Sequence, residues 1–122
     1  MATKIFKGTT PTQIAHLDRG KLYDGTAYTQ IAKIDGQKIF QGTSPTQILK
    51  VDGVKIYQGT TFNQIARIEN GKVYQGTTYN QIAKIDNGKV YQGTTYNQIA
   101  KIDGPANISE IAAILHLVLR LF

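Results

Sequence analysis

Six copies of one 17-residue unit occupy residues 4–105, each opening on a lysine: Lys4, Lys21, Lys38, Lys55, Lys72 and Lys89. No insertion or deletion disturbs the spacing. Each unit is too short to bury its own apolar face, so the units must cover one another in a stack or a ring. The same regularity weakens any argument from a single position, because a side chain present six times serves the repeat before it serves a site.

The fifth unit, residues 72–88, contains two apolar segments, 72–76 and 81–86, and joins the sixth through Ile85-Asp86-Asn87-Gly88-Lys89-Val90. Asn-Gly between alternating segments predicts a two-residue type I′ hairpin turn, in which both central residues need positive φ. Glu69-Asn70-Gly71-Lys72 repeats this pattern, while Asp35-Gly36-Gln37-Lys38 and Asp52-Gly53-Val54-Lys55 put glycine first, as type II′ turns require. Asp18-Arg19-Gly20-Lys21 fits less well. These turns argue for antiparallel hairpins rather than parallel coils.

With Asn87-Gly88 as the loop, Asp86 should face Lys89, Ile85 Val90, Lys84 Tyr91 and Ala83 Gln92. Alternation then puts Ala83, Ile85 and Val90 in the core and Lys84, Asp86, Lys89 and Tyr91 outside. Ile82 and its equivalents Ile14, Ile31, Ile48, Ile65 and Ile99 fall on the outer face by this count. That placement suits a helical turn ahead of the second strand, and Thr10-Pro11-Thr12-Gln13 and Ser44-Pro45-Thr46-Gln47 also read as a helix start. Only about seven residues precede the Asp-Asn-Gly turn, too few for a stable helix, so a strand is expected.

After Asp103-Gly104-Pro105 the pattern stops. Asn107 with Glu110 three residues on resembles a capping box, and residues 108–122 run without Gly or Pro, predicting a helix over 107–122. Ser109, His116 and Arg120 fall on one narrow stripe and most of the remaining circumference is apolar, so the helix should be buried, with Ile111, Ile114, Leu115, Val118 and Leu121 inside. Its length of about 22 Å is short of a membrane span. The expected fold is mainly β: an antiparallel meander of about twelve short strands, closed into a barrel around one hydrophobic C-terminal helix, in a single domain covering 1–122.

On strand count and terminal helix, this layout resembles the tubby-like and phospholipid-scramblase barrels. The resemblance implies a mild leaning toward anionic lipid head groups, because members of that group bind phosphoinositides through basic residues; no individual residue carries over. The repeats also resemble small bacterial and phage proteins built from short β-hairpins.

Composition narrows the chemistry. Cysteine is absent, which excludes disulfides, thiolate metal sites and a cysteine nucleophile. The N-terminus, Met-Ala-Thr-Lys-Ile-Phe, has no apolar leader, so a cytoplasmic protein is expected. His16 replaces the unit's Lys or Arg and reads as a solvated residue, whereas His116 reads as a hydrogen-bonded imidazole; two separate histidines do not make a metal site. With no nucleophile elbow, P-loop or dinucleotide fingerprint, neither an enzyme nor a cofactor is expected.

Fourteen Lys and Arg against eight Asp and Glu give a net charge of +6, which favours acidic partners. The candidate binding residues are Lys33, Lys50, Arg67, Lys84 and Lys101 with Tyr57, Tyr74 and Tyr91, and with Tyr23 and Phe40 nearby. Cation beside ring suits phosphates and stacked bases or lipid head groups. The Thr-Thr-Tyr-Asn-Gln loops at 77–81 and 94–98 offer ring and amide, as a sugar would require. The functional reading is thus a non-enzymatic repeat protein that binds or self-assembles. A basic module for anionic lipid or nucleic acid is the second reading. A scaffold without a ligand, natural or engineered, is the third, since 74–86 and 91–103 duplicate one another.

Overall fold

The structure, a computed structural model, describes residues 3–122. Met1 and Ala2, which head the stretch read for a leader, lie outside the described residues. Twelve strands follow in order: β1 (Thr3–Lys7), β2 (Gln13–Asp18), β3 (Lys21–Asp24), β4 (Gln30–Asp35), β5 (Lys38–Gln41), β6 (Gln47–Asp52), β7 (Lys55–Gln58), β8 (Gln64–Glu69), β9 (Lys72–Gln75), β10 (Gln81–Asp86), β11 (Lys89–Gln92) and β12 (Gln98–Asp103). Each strand pairs with its chain neighbours, and β1 pairs with β12, so the sheet is a closed up-and-down barrel with no free edge. Two-residue turns connect the strands at one end and five-residue loops at the other.

The register expected across Asn87-Gly88 is the one found: Asp86 opposite Lys89, Ile85 opposite Val90, Lys84 opposite Tyr91 and Ala83 opposite Gln92. Gly36 and Gly53 have positive φ, as the type II′ assignment requires, and Asn70-Gly71 and Asn87-Gly88 have it at both positions. The Arg19-Gly20 turn, expected to fit poorly, takes the same form, with φ of 55° and 77°. There the closed ring imposes a conformation that arginine does not favour.

The six isoleucines that alternation placed outside are a second correction. Opposite the consecutive residues Val73 and Tyr74 stand Ala83 and Gln81, so Ile82 is the extra residue of a β-bulge. The bulge recurs in every unit. It restarts the alternation, and Ile14, Ile31, Ile48, Ile65, Ile82 and Ile99 pack against the core as half-buried residues within strands, with no helical turn.

The C-terminal segment fills the barrel. Asn107 caps helix α1 (Ile108–Ala113) with both bonds of the capping box in place. A π-helical segment (Ile114–Val118) continues it, closed by Leu119 N–H donating to the Ile114 carbonyl. Ala112, Ala113, Ile114 and Leu115 are wholly buried in one cluster with wall residues such as Ile5, Leu22, Ile39, Ile56, Val73 and Val90. A barrel of eleven strands can already hold a central helix, so twelve leave room for this one. The helix expected over 107–122 ends at Val118. Arg120 has a φ of 55° and Leu121 N–H returns to the Leu115 carbonyl at 2.9 Å, a left-handed stop that turns the chain back. Ile111, Val118 and Leu121, expected inside, are only half-buried. Among the described residues no helix is long and apolar enough to cross a membrane.

Candidate functional site

Strand pairing around the wall carries one outward row from unit to unit. Asp52 faces Lys55, Lys55 faces Arg67, Arg67 faces Tyr74 and Tyr74 faces Gln81. The order acid, cation, cation, ring, amide holds in five rows, and in the sixth, across the seam, Asp103, Lys4, Tyr23 and Gln30 keep their places while His16 stands in that of the second cation. The rows hold eleven of the fourteen Lys and Arg but six of the eight acids, so five of the six net charges lie in them. Five rows thus place two cations directly opposite one another, an arrangement that destabilises a sheet, and the sixth sets Lys4 opposite His16. Among the described residues the one ion pair within 4 Å is Arg67–Glu69 at 3.7 Å.

The row ends under a second ring that sequence pairing did not reveal. In three rows the loop folds back and sets its own aromatic on the cation. The Lys50 ammonium lies 3.7 Å from the Phe62 ring centre and 5.3 Å from Tyr57. The Lys84 ammonium lies 3.6 Å from Tyr96 and 5.3 Å from Tyr91. The Arg67 guanidinium carbon is 4.5 Å from Tyr79 and 4.8 Å from Tyr74. In each bracket the two rings meet edge to face, at 5.6 to 5.9 Å.

His16 completes a fourth bracket, stacked 4.9 Å from Tyr23 with Tyr28 edge-on at 5.5 Å. It is buried, not solvated as expected, and Nδ1 lies 2.9 Å from the Gly25 carbonyl, which can only accept, so that nitrogen carries the proton. Lys33 and Lys101 face Phe40 and Phe6, but the next loop position holds Pro45 or Pro11, and both lysines remain exposed. The candidate residues therefore separate into half-buried, ring-bracketed Lys50, Arg67 and Lys84, and open Lys33 and Lys101. Tyr28, Phe62, Tyr79 and Tyr96 are 78–79% exposed despite these contacts.

The loops hold their shape by internal bonds. In the sixth unit Thr95 Oγ1 donates to the Gln92 carbonyl at 2.6 Å, Asn97 N–H to Thr95 Oγ1, and the Asn97 amide to Gln92 Oε1 at 3.1 Å. Six glutamine amides, from Gln13 to Gln98, each donate to the glycine carbonyl of the next loop at 2.8 or 2.9 Å, and the last reaches Gly8 across the seam. Each amide thus spends one of its two N–H donors within the wall.

The 6-fold β-flower protein family model matches residues 5–114, which span the six units and the buried helix. The chain belongs to that family. No curated protein and no solved structure matches it, so the likeness of this β-flower to tubby-like and scramblase barrels rests on layout alone. Below the loops of the flower a cleft of about 920 Å³ opens between the wall and residues 117–121, with Lys7, Asp24 and Arg120 among its lining. His116, not among the lining residues, has its Nδ1 2.7 Å from the Phe122 carbonyl. Among the described residues no three His, Asp or Glu gather closely enough to hold a metal ion.

Proposed function

We propose that this β-flower is a non-enzymatic binding module whose outer belt engages a flexible polyanion at several equivalent rows. The observation that carries this reading is the facing of one cation by another in five of the six rows, as in Lys38 with Lys50, Lys55 with Arg67 and Lys72 with Lys84. Such pairs oppose sheet stability, and a bound anion between them would relieve the repulsion. Exposed rings beside them suit stacking, so single-stranded nucleic acid is the polyanion that uses both halves of the row. Sugar is a weaker fit, because the loop amides are already bonded within the loop.

The test reverses the exposed partners. In Lys38→Glu, Lys55→Glu and Lys72→Glu combined, the bracketed cations stay on their rings and folding should be preserved. Binding of a single-stranded oligonucleotide at about 50 mM salt, where phosphate contacts are strong, should be lost in this variant. The wild type should weaken steeply as salt rises. A wild type with no salt-sensitive association would make +6 a solubility charge and end the reading.

Self-assembly is the second reading, favoured by the four exposed rings, all carried by loops at one end. It requires a mass that grows with concentration in sedimentation and falls to the monomer when Tyr28, Phe62, Tyr79 and Tyr96 are changed to Ser.

A further inference from the structure

We propose that the cleft at the loop end is a second, separate site that takes a single-chain anionic amphiphile, such as a medium-chain carboxylate, tail first. The cleft's volume of about 920 Å³ lies within the range of small-molecule sites, about 300–1,000 Å³. One wall is formed by the bulge isoleucines Ile14, Ile31 and Ile99 of units one, two and six, and the other by Leu117, Val118 and Leu121. The space follows from symmetry mismatch. A single helix cannot fill a sixfold ring evenly: α1 approaches the wall at β4, β5 and β6, and the cleft is lined mainly from β1, β2, β3, β11 and β12, with Ile31 of β4 also in its lining.

Charge at the rim selects the head group. Lys7 and Asp24 occupy the unit position that holds glutamine in the other four copies, Gln41, Gln58, Gln75 and Gln92. Both of these charged departures line the cleft. Arg120 joins them from a left-handed backbone position where glycine would be easier, so that two cations and one acid surround the opening. All three are exposed and stay hydrated in the free protein. An apolar tail buried between the isoleucines and the Leu117–Leu121 segment would leave its carboxylate level with Lys7 and Arg120.

Calorimetric titration with decanoate and dodecanoate, below the concentrations at which they aggregate, tests the site. One molecule should bind per chain. Each added methylene should tighten binding about fourfold, and decyltrimethylammonium should bind more weakly than decanoate. Lys7→Gln restores the residue type of the other units and should weaken decanoate binding about two- to fivefold with the melting temperature unchanged. Val118→Trp should fill the cleft and abolish binding. The triple glutamate variant of the belt should bind decanoate normally, which keeps this test apart from that of the polyanion. Absence of one-to-one carboxylate binding would overturn the proposal. So would equal affinity for the cationic analogue, binding that survives both Lys7→Gln and Val118→Trp, or loss of decanoate binding in the belt variant.

Discussion

The two ends of the barrel are built from the same repeat and behave differently. At the turn end the three turns with glycine second, at Gly20, Gly71 and Gly88, have no slack: Gly88 has a φ of 79°, its carbonyl accepts from Ile102 N–H at 2.6 Å, and a Cβ on it would run into the Ile102 carbonyl. At the loop end Gly93 also has positive φ, but the nearest atom to an added Cβ would be 3.9 Å away, the Gln81 carbonyl oxygen. The helix enters at the turn end, where Thr3 donates to the Pro105 carbonyl, and its last turn leaves the cleft open at the other. The three tight turns hold their backbone against a neighbouring strand, whereas the loop glycines leave room for a side chain.

The largest effect should come from removing what both ends share. Truncation after Gly104 withdraws Ala112, Ala113, Ile114 and Leu115 from the core. The product should aggregate or lose cooperative melting. A soluble 1–104 fragment with one sharp thermal transition would show that the ring stands without its centre.

A smaller effect separates the ends directly. Gly88→Val should cost more than about 2 kcal/mol, combining the left-handed backbone penalty with the collision. Gly93→Val should cost about 1–2 kcal/mol, from the backbone term alone. Chemical denaturation of both variants measures the difference, and equal losses would erase the distinction between the ends.

The smallest effect concerns the loop end alone. Pro45→Tyr should set a second ring on Lys33 and raise stability by about 0.5 kcal/mol, while Tyr96→Pro should lower it by a similar amount by uncovering Lys84. If Pro45→Tyr stabilises a Lys33→Gln background equally, the ring acts without the cation and the bracket is not a unit.

Much of the wall was legible because its turns carry their own chemistry. Asn87-Gly88 names a turn type, the turn type sets the register, and the register fixes which residues face inward. The bulge escaped because it belongs to the pairing on the strand's other side, where the five-residue loop and not a two-residue turn sets the offset. Arg19 escaped because its positive φ is imposed by the strands it joins. The early stop of the helix had no signal, since Arg120 is an ordinary helix former.

The belt was half legible. Strand pairing places Lys84 beside Tyr91, but nothing in the alternation shows Tyr96 returning over the same lysine. A signal did exist across the copies: units with proline in the loop, Pro11 and Pro45, carry Phe6 and Phe40 on the strand, and the units with a loop ring carry tyrosine there. Comparing the units with one another, not only averaging them, would have coupled the two positions.

The central helix also acts as a gauge. Barrel diameter grows roughly in proportion to strand number, so a seventh unit would add two strands to twelve and widen the ring by about one-sixth. The interior now filled by Ala112, Ala113, Ile114 and Leu115 would then hold an annular void that no existing side chain reaches. A fifth-unit deletion would leave too narrow a bore for the same helix. Gain or loss of a 17-residue module is therefore penalised by a segment outside the tandem, and the number six is counted by the plug.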